Sequence, residues 1–113
     1  MITLGDSTTF DTNATTTAGD ITLGAITGST FTLTLETGAV GLADVTGTTF
    51  SGSGTLALQN IGGTATFTGA VSPTTLTVAA NVNDLRLEGT TGTIGTLATF
   101  QNGGDLYLGA PAG

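Results

Sequence analysis

The sequence predicts an all-β protein, a parallel β-helix of about five coils with roughly 21 residues and three short strands per coil. Three observations lead to this fold class. No stretch carries apolar residues at helical spacing over ten or more positions. Short alternating apolar pairs recur, as in strands whose side chains alternate between faces. Polar corner residues recur at separations of 21, 22, 21 and 21, at Asp20, Gly41, Gly63, Asp84 and Asp105.

The composition fits one β-rich segment. Of 113 residues, 38% are hydrophobic and 19 are glycine. Thr, Val, Ile and Phe favour strands, and frequent glycine indicates frequent turns. A repeat of this size cannot bury its own apolar side, so each copy must stack on its neighbours. We therefore predict a single β-solenoid over 1–113, with an irregular first coil at 1–20, regular coils at 21–105 and an incomplete last coil at 106–113.

The first predicted strand of each coil carries two inward apolar residues around one outward residue. In the irregular first coil this pair is Ile2 and Leu4. In the later coils the pairs are Ile21/Leu23, Ala43/Val45, Ala65/Phe67, Leu85/Leu87 and Leu106/Leu108.

The second predicted strand is short and contributes one inward residue per coil. These residues are Phe10, Phe31, Phe50, Val71 and Ile94. The third strand again carries pairs, namely Leu33/Leu35, Leu56/Leu58, Leu76/Val78 and Leu97 with Thr99. Because Thr99 breaks the apolar pattern, we expect Phe100 to take its place through a β-bulge. A β-sandwich would also show short strands, but it does not require like residues at this period. The pattern favours three strands per coil over two.

The corner after the third strand repeats asparagine. Asn60, Asn81 and Asn102 are separated by 21 residues, with Thr37 in the equivalent earlier place. In stacked parallel coils such residues lie about 4.8 Å apart. Their amides can then donate and accept hydrogen bonds along the column, and asparagine tolerates the left-handed conformation of a tight corner.

The outward side of the third strand is predicted to be a flat strip without charge. One column is all threonine, and it consists of Thr32, Thr55, Thr75 and Thr96. The neighbouring column alternates, and it consists of Thr34, Ala57, Thr77 and Ala98. Regular Thr-x-Thr ladders organise water in ice-binding solenoids, so this strip is a candidate ice-binding surface or a surface for lateral packing. The simpler interpretation is that threonine suits an outward strand position.

Charge excludes several partners. Eight acidic residues accompany a single base, Arg86, for a net charge of −7. Neutralising phosphates requires a basic footprint, and anionic membranes also attract bases, so we expect no nucleic-acid partner and no membrane insertion. Arg86 and Glu88 are predicted to share one strand face, with Tyr107 lying over Arg86 one coil away, within cation–π reach.

Catalytic residue types are scarce. Histidine and lysine are absent. The closest predicted carboxylates are Asp84 and Asp105, one coil apart at one corner, a pairing that could serve acid–base chemistry or hold Ca²⁺ through oxygen ligands. A glycine-rich corner open to water suits a plain turn role better. We predict no enzyme, no cofactor and no metal site, with Asp84 and Asp105 the nearest candidates for a metal.

Two stretches of the sequence resemble repeats of bacterial filamentous haemagglutinin-like and autotransporter passenger proteins. They are TAGDITLGAITG at 17–28 and QNGGDLYLG at 101–109. The likeness extends from Ile2 to Leu108. The resemblance implies an exported, right-handed parallel β-helix that acts as an adhesin or as a stalk presenting adhesive domains. It therefore implies a location outside the cell or at its surface, with a host or cell-surface receptor or neighbouring solenoid domains as partners. This chain carries no haemagglutinin-type export domain, so the resemblance assigns no secretion route.

The residues GDLYLGAPAG begin another first strand with no helix or charged loop to cover it. An exposed sheet edge pairs readily with another chain. Either the segment is cut from a longer solenoid, or a second copy stacks on it end to end as a filament, which adds this chain itself to the candidate partners.

Overall fold

The computed structural model describes residues 1–109 and confirms the predicted fold class. Within this range all regular structure is β-strand, and no helix is long and apolar enough to cross a membrane. The strands are β1 (Ile2–Thr3), β2 (Thr8–Asp11), β3 (Ile21–Thr22), β4 (Ile26–Ser29), β5 (Thr32–Glu36), β6 (Val45–Gly47), β7 (Phe50–Gly52), β8 (Thr55–Leu58), β9 (Ile61–Phe67), β10 (Val71–Ser72), β11 (Thr75–Val78), β12 (Val82–Leu87), β13 (Leu97–Phe100) and β14 (Leu106–Leu108). Of the predicted last coil at 106–113, residues 110–113 lie outside the described part.

The strands form three parallel sheets. Sheet I has the order β1-β4-β7-β10, sheet II the order β2-β5-β8-β11-β13, and sheet III the order β3-β6-β9-β12-β14. Neighbours in a sheet belong to successive coils, so the inter-strand hydrogen bonds run along the stack. The chain visits sheets III, I and II in turn, and the predicted coil of three strands is confirmed.

The core lies between the three sheets and consists of columns of like residues. In sheet II, Leu35 pairs with Leu58, and Leu58 pairs with Val78. All three side chains are at most 1% exposed. This direct stacking is what the sequence period predicts, and it buries apolar surface between every pair of coils.

The inward column of sheet I corresponds to the predicted second strand of each coil. In the first coils it is formed by residues other than those predicted. Ile2, Ile26 and Phe50 are aligned there, with Val71 above them. Ile2 therefore belongs to this sheet and Leu4 directly follows its strand, so the predicted pair does not form the first strand of a coil. The predicted phenylalanines lie elsewhere, because Phe10 pairs with Leu35 in sheet II and Phe31 lies in a turn. Ile94 packs on the core without belonging to a strand.

Glycines under phenylalanine rings explain this first error. A Cβ atom at Gly28, two residues after Ile26, would lie 2.5 Å from Cζ of Phe50. The ring of Phe50 therefore fills the space that a side chain at position 28 would occupy. An inward position held by glycine is invisible to a search for apolar pairs.

The same arrangement shifts the third coil by two residues. The predicted inward pair was Ala43 and Val45, but the register aligns Val45 with Ala65 and Gly47 with Phe67. A Cβ atom at Gly47 would lie 2.6 Å from Cε1 of Phe67. Glycine is therefore the inward residue here, and Ala43 lies in the preceding corner.

Strand β13 differs from the prediction by one residue. Ala98 and Phe100 align with Leu76 and Val78, while Leu97 is 54% exposed. A shift of one residue exchanges the two faces of a strand, so Phe100 faces the core without the predicted β-bulge. The larger apolar residue thereby continues the buried column.

The second coil is longer than the third, chiefly at one corner. Equivalent residues of sheet III are separated by 24 residues from Ile21 to Val45, but by 20 from Val45 to Ala65. Three of the four extra residues belong to the corner 38–44, where Gly38 and Gly41 have φ angles of 90° and 82°, and the fourth lies at the register shift between Thr27 and Ser29 of β4. That corner projects outward, and Leu42 in it is 80% exposed.

Candidate functional site

Acidic residues form a column at the start of sheet III, which we call the aspartate corner. The register places its members one above another, and they are Asp20, Asp44, Thr64, Asp84 and Asp105. The predicted corner residues Gly41 and Gly63 are not in this column. The sequence signal for Asp44 was available, since each aspartate of the column directly precedes an inward residue of sheet III.

Each of three carboxylates at the aspartate corner accepts a hydrogen bond from the coil above. The Oδ1 atom of Asp20 accepts from the backbone N–H of Asp44 at 2.8 Å, and Oδ1 of Asp44 accepts from Thr64 at 2.7 Å. In the same way Oδ1 of Asp84 accepts from the N–H of Asp105 at 2.8 Å. The carboxylates therefore join successive coils where the strand ladder begins.

Asp84, one of the two predicted metal candidates, makes a contact between coils. Asp84 and Asp105 are adjacent, as the sequence predicts, but Asp84 binds the backbone of Asp105. Ca²⁺ takes six to eight oxygen ligands. In residues 1–109 no group of three or more potential metal-ligating side chains occurs. The observed contacts favour a link between coils.

The asparagine corner is held by contacts between coils. Asn60 has a φ angle of 52°, the left-handed conformation for which asparagine is suited. Its backbone N–H donates to Oδ1 of Asn81 at 2.9 Å, and its side chain donates to Oε1 of Glu36 at 3.4 Å. In the coil below, the buried Thr37 donates its hydroxyl to the carbonyl of Ala43 at 3.2 Å.

Asn102 makes a different set of contacts. Its Nδ2 atom donates to the carbonyls of Gly104 at 3.2 Å and of Asp105 at 3.0 Å, within its own corner. It also reaches the carbonyl of Asn83, 3.3 Å away in the coil below. The three asparagines thus share a place in the coil, but the side chains of Asn81 and Asn102 bind backbone groups and that of Asn60 binds the Glu36 carboxylate, so they form no continuous amide ladder.

The outward side of sheet II forms a surface that we call the threonine face. Its first column consists of Thr32, Thr55, Thr75 and Leu97. Its second column consists of Thr9, Thr34, Ala57, Thr77 and Thr99. The shift in β13 explains both differences from the prediction, because Leu97 takes the place of Thr96 and Thr99 that of Ala98. The two columns carry hydroxyl and methyl groups and no charge.

A third column borders the threonine face with acidic and amide groups. Asp11 aligns with Glu36, and Glu36 lies next to Gln59 in the coil above. The Nε2 atom of Gln59 donates to Oε2 of Glu36 at 2.8 Å. In the fifth coil Gln101 follows the inward Phe100 as Gln59 follows Leu58. The column thus contains one pair of like charges, Asp11 and Glu36, and one amide bound to a carboxylate, Gln59 on Glu36.

The single base makes the contacts predicted for it. The guanidinium carbon of Arg86 lies 4.3 Å from the centre of the Tyr107 ring, and Nη1 lies 3.4 Å from Oε1 of Glu88. The Arg86 side chain is 41% exposed, so the ion pair contributes at most about 1 kcal/mol. This cluster stabilises the outer surface of sheet III.

An apolar cavity of about 280 Å³ opens beside the fifth coil. Residues 88–96 hold no strand there, which leaves sheet I one strand short of its neighbours. The cavity is lined by glycine, threonine and the side chains of Val71, Leu87, Ile94 and Leu108. This lining offers no acid, base or nucleophile stronger than a threonine hydroxyl.

Comparison of the chain with protein-family models, curated proteins and solved structures finds no match.

Proposed function

We propose that the chain is a non-catalytic structural segment of an extracellular bacterial adhesin or fibre. Its task is to supply length, stiffness and a surface for presentation. The observation that carries this proposal is the stack itself, in which three parallel sheets and buried columns such as Leu35, Leu58 and Val78 repeat from coil to coil. Each coil adds about 4.8 Å to a rod whose hydrogen bonds run along its length.

The placement of polar groups supports a structural task. Several polar groups bind the adjacent coil and do not converge on a cavity. They belong to Gln59, to Asn60 and to three carboxylates at the aspartate corner. Function must be argued from a site, and this geometry assigns its polar side chains to holding the stack together. The extracellular and adhesive part of the proposal draws on the resemblance of 17–28 and 101–109 to haemagglutinin-like repeats.

Stiffness is tested by a distance between two spin labels. The chain has no cysteine, so Thr22→Cys with Tyr107→Cys gives a clean labelling pair. Both residues belong to one outward column of sheet III, four coil steps apart, or about 19 Å. We expect a narrow distance distribution near that value in pulsed electron resonance, and a broad one in urea. A broad distribution without urea would reject the rod.

Adhesion is tested separately with beads that carry the folded segment. Attachment to host cells that is lost when the segment is denatured supports a direct adhesive role. Beads that fail to attach assign the segment to the stalk alone.

A second candidate function is ice binding, and the register of sheet II favours it. The two columns of the threonine face place hydroxyl and methyl groups about 4.8 Å apart along the stack and about 6.6 Å apart along each strand. In the second column a threonine is present in four of the five coils. These residues are Thr9, Thr34, Thr77 and Thr99. A flat, uncharged and regular array of this kind can order water.

Ice binding predicts thermal hysteresis that depends on one face. If the threonine face binds ice, the chain lowers the freezing point below the melting point, and Thr77→Lys abolishes the effect because it inserts a charge into the array. Thr46→Lys is the matched control, since Thr46 points outward from sheet III. Lack of hysteresis in the unmodified chain, or equal loss in both variants, would exclude this function.

A further inference from the structure

We propose that a second copy of this chain stacks on the last described coil, with its first coil continuing sheets II and III. The inference rests on the proposed structural function and adds the partner and the register. It is carried by the exposed strand edges, the order of the sheets and the pattern of hydrogen bonds between coils.

The last described coil leaves apolar side chains in the open. Leu106 and Leu108 are 39% and 66% exposed. Leu106 and Leu108 align with Leu85 and Leu87, so they continue the inward columns of sheet III. Strands β13 and β14 each pair on one side only. A further coil in the same register would cover Leu106 and Leu108 and pair both edges.

The order of the sheets lets a second copy continue the path of the chain, with residues 88–96 leaving sheet I unpaired at the junction. The chain passes from sheet III to sheet I and then to sheet II in every complete coil. β14 belongs to sheet III, and β1 belongs to sheet I. In a second copy β1 therefore takes the next place, β2 lies on β13, and β3 lies on β14.

The aspartate corner supplies a specific bond at this junction. Within the molecule a carboxylate accepts the backbone N–H of the residue one coil above, as Asp84 accepts that of Asp105. Asp105 ends the column and Asp20 begins it. In the stacked pair the carboxylate of Asp105 meets the backbone N–H of Asp20 in the second copy and repeats the contact.

The column beside the threonine face is complementary as well. Gln59 donates to Glu36 between coils, which shows that an amide and a carboxylate fit together there. At the junction the amide of Gln101 meets the carboxylate of Asp11 in the second copy. Each copy nevertheless carries a net charge of −7, so salt that screens repulsion should strengthen the association.

The test is sedimentation of the 113-residue chain over a range of protein and sodium chloride concentrations. We expect the average mass to rise with protein concentration, and more steeply at high salt. Leu108→Lys places a charge in the junction and should weaken self-association at least about tenfold, equivalent to about 1.4 kcal/mol. Leu42→Lys is the matched control, because Leu42 is also an exposed leucine (80%, against 66% for Leu108) but lies on the side of the stack, and it should associate like the unmodified chain.

A disulfide tests the register directly. In the stack Tyr107 of one copy lies about 4.8 Å from Thr22 of the next, within the Cα separation of about 4.4–6.8 Å that a disulfide spans. Within one copy the two residues are about 19 Å apart, so Thr22→Cys with Tyr107→Cys cannot close on itself. Oxidation should give a ladder of linked copies, whereas Thr9→Cys with Tyr107→Cys should give none because these residues belong to different sheets.

The outcomes separate the partner from the structural function. A chain that stays monomeric at all concentrations, yet keeps the narrow distance between spin labels, overturns stacking and leaves the rod intact. Association that survives Leu108→Lys, or cross-linking without preference for the predicted pair, also overturns the proposal. A broad label distance rejects both.

Discussion

Replacing Leu58 with aspartate is expected to unfold the segment, while the same change at Leu42 leaves it folded. Leu58 is 1% exposed and lies between Leu35 and Val78, so a carboxylate there loses water on both sides. Removing a buried leucine side chain alone costs about 2–5 kcal/mol, and an unpaired buried charge adds several more. Together these match the about 5–15 kcal/mol that holds a typical domain folded. The loss interrupts contacts with both neighbouring coils.

Leu42 provides the internal comparison because it is 80% exposed in the corner 38–44. Far-ultraviolet circular dichroism and thermal melting check both variants. We expect Leu42→Asp to retain the β spectrum and a melting temperature close to that of the unmodified chain. A folded, cooperatively melting Leu58→Asp would show that the column in sheet II does not support the core.

Enlarging Gly47 should strain the core in a way that a second substitution relieves. The Phe67 ring occupies the space next to Gly47, and Phe67 is fully buried. Gly47→Leu therefore overpacks the column and costs about 1–3 kcal/mol, while Phe67→Ala leaves a cavity and costs about 3–5 kcal/mol. In the double variant the new leucine fills part of that cavity. We expect a loss smaller than the sum by about 1–3 kcal/mol.

Urea unfolding of the four proteins of this double-mutant cycle gives the coupling. Gly24→Leu is the control, since a Cβ atom at Gly24 meets nothing within 4 Å and needs no special backbone angle. Combined with Phe67→Ala, it should give additive losses. Additivity in the Gly47 cycle would mean that the ring and the glycine are not matched in size.

Periodicity made the architecture predictable, because each coil repeats the same solution. The stacking of Leu35, Leu58 and Val78 follows from their spacing alone. What failed was the phase within particular coils, since a glycine beneath a ring counts as an inward residue although it has no side chain. Gly28 and Gly47 hold such positions, and both cause an error in the predicted alignment.

Surface predictions depended on that phase even more strongly. A one-residue shift in β13 moves Leu97 outward and replaces Thr96 in the threonine face. At the aspartate corner the unrecognised shift in the third coil led the prediction to assign the corner position to Gly41, whereas Asp44 occupies it. A spacing of 21 placed the three asparagines in one corner, but it could not say that Asn102 would bind its own turn while Asn81 binds Asn60.

The long corner at 38–44 shows how such a molecule can diversify. Three additional residues there change neither the pairing of β6 with β9 nor the buried columns, because the glycines turn the chain outward before the next strand begins. The length of this corner can therefore change without changing the hydrogen bonds between the strands. New recognition loops can be inserted at this corner without changing the solenoid, and duplication of whole coils can lengthen the solenoid itself.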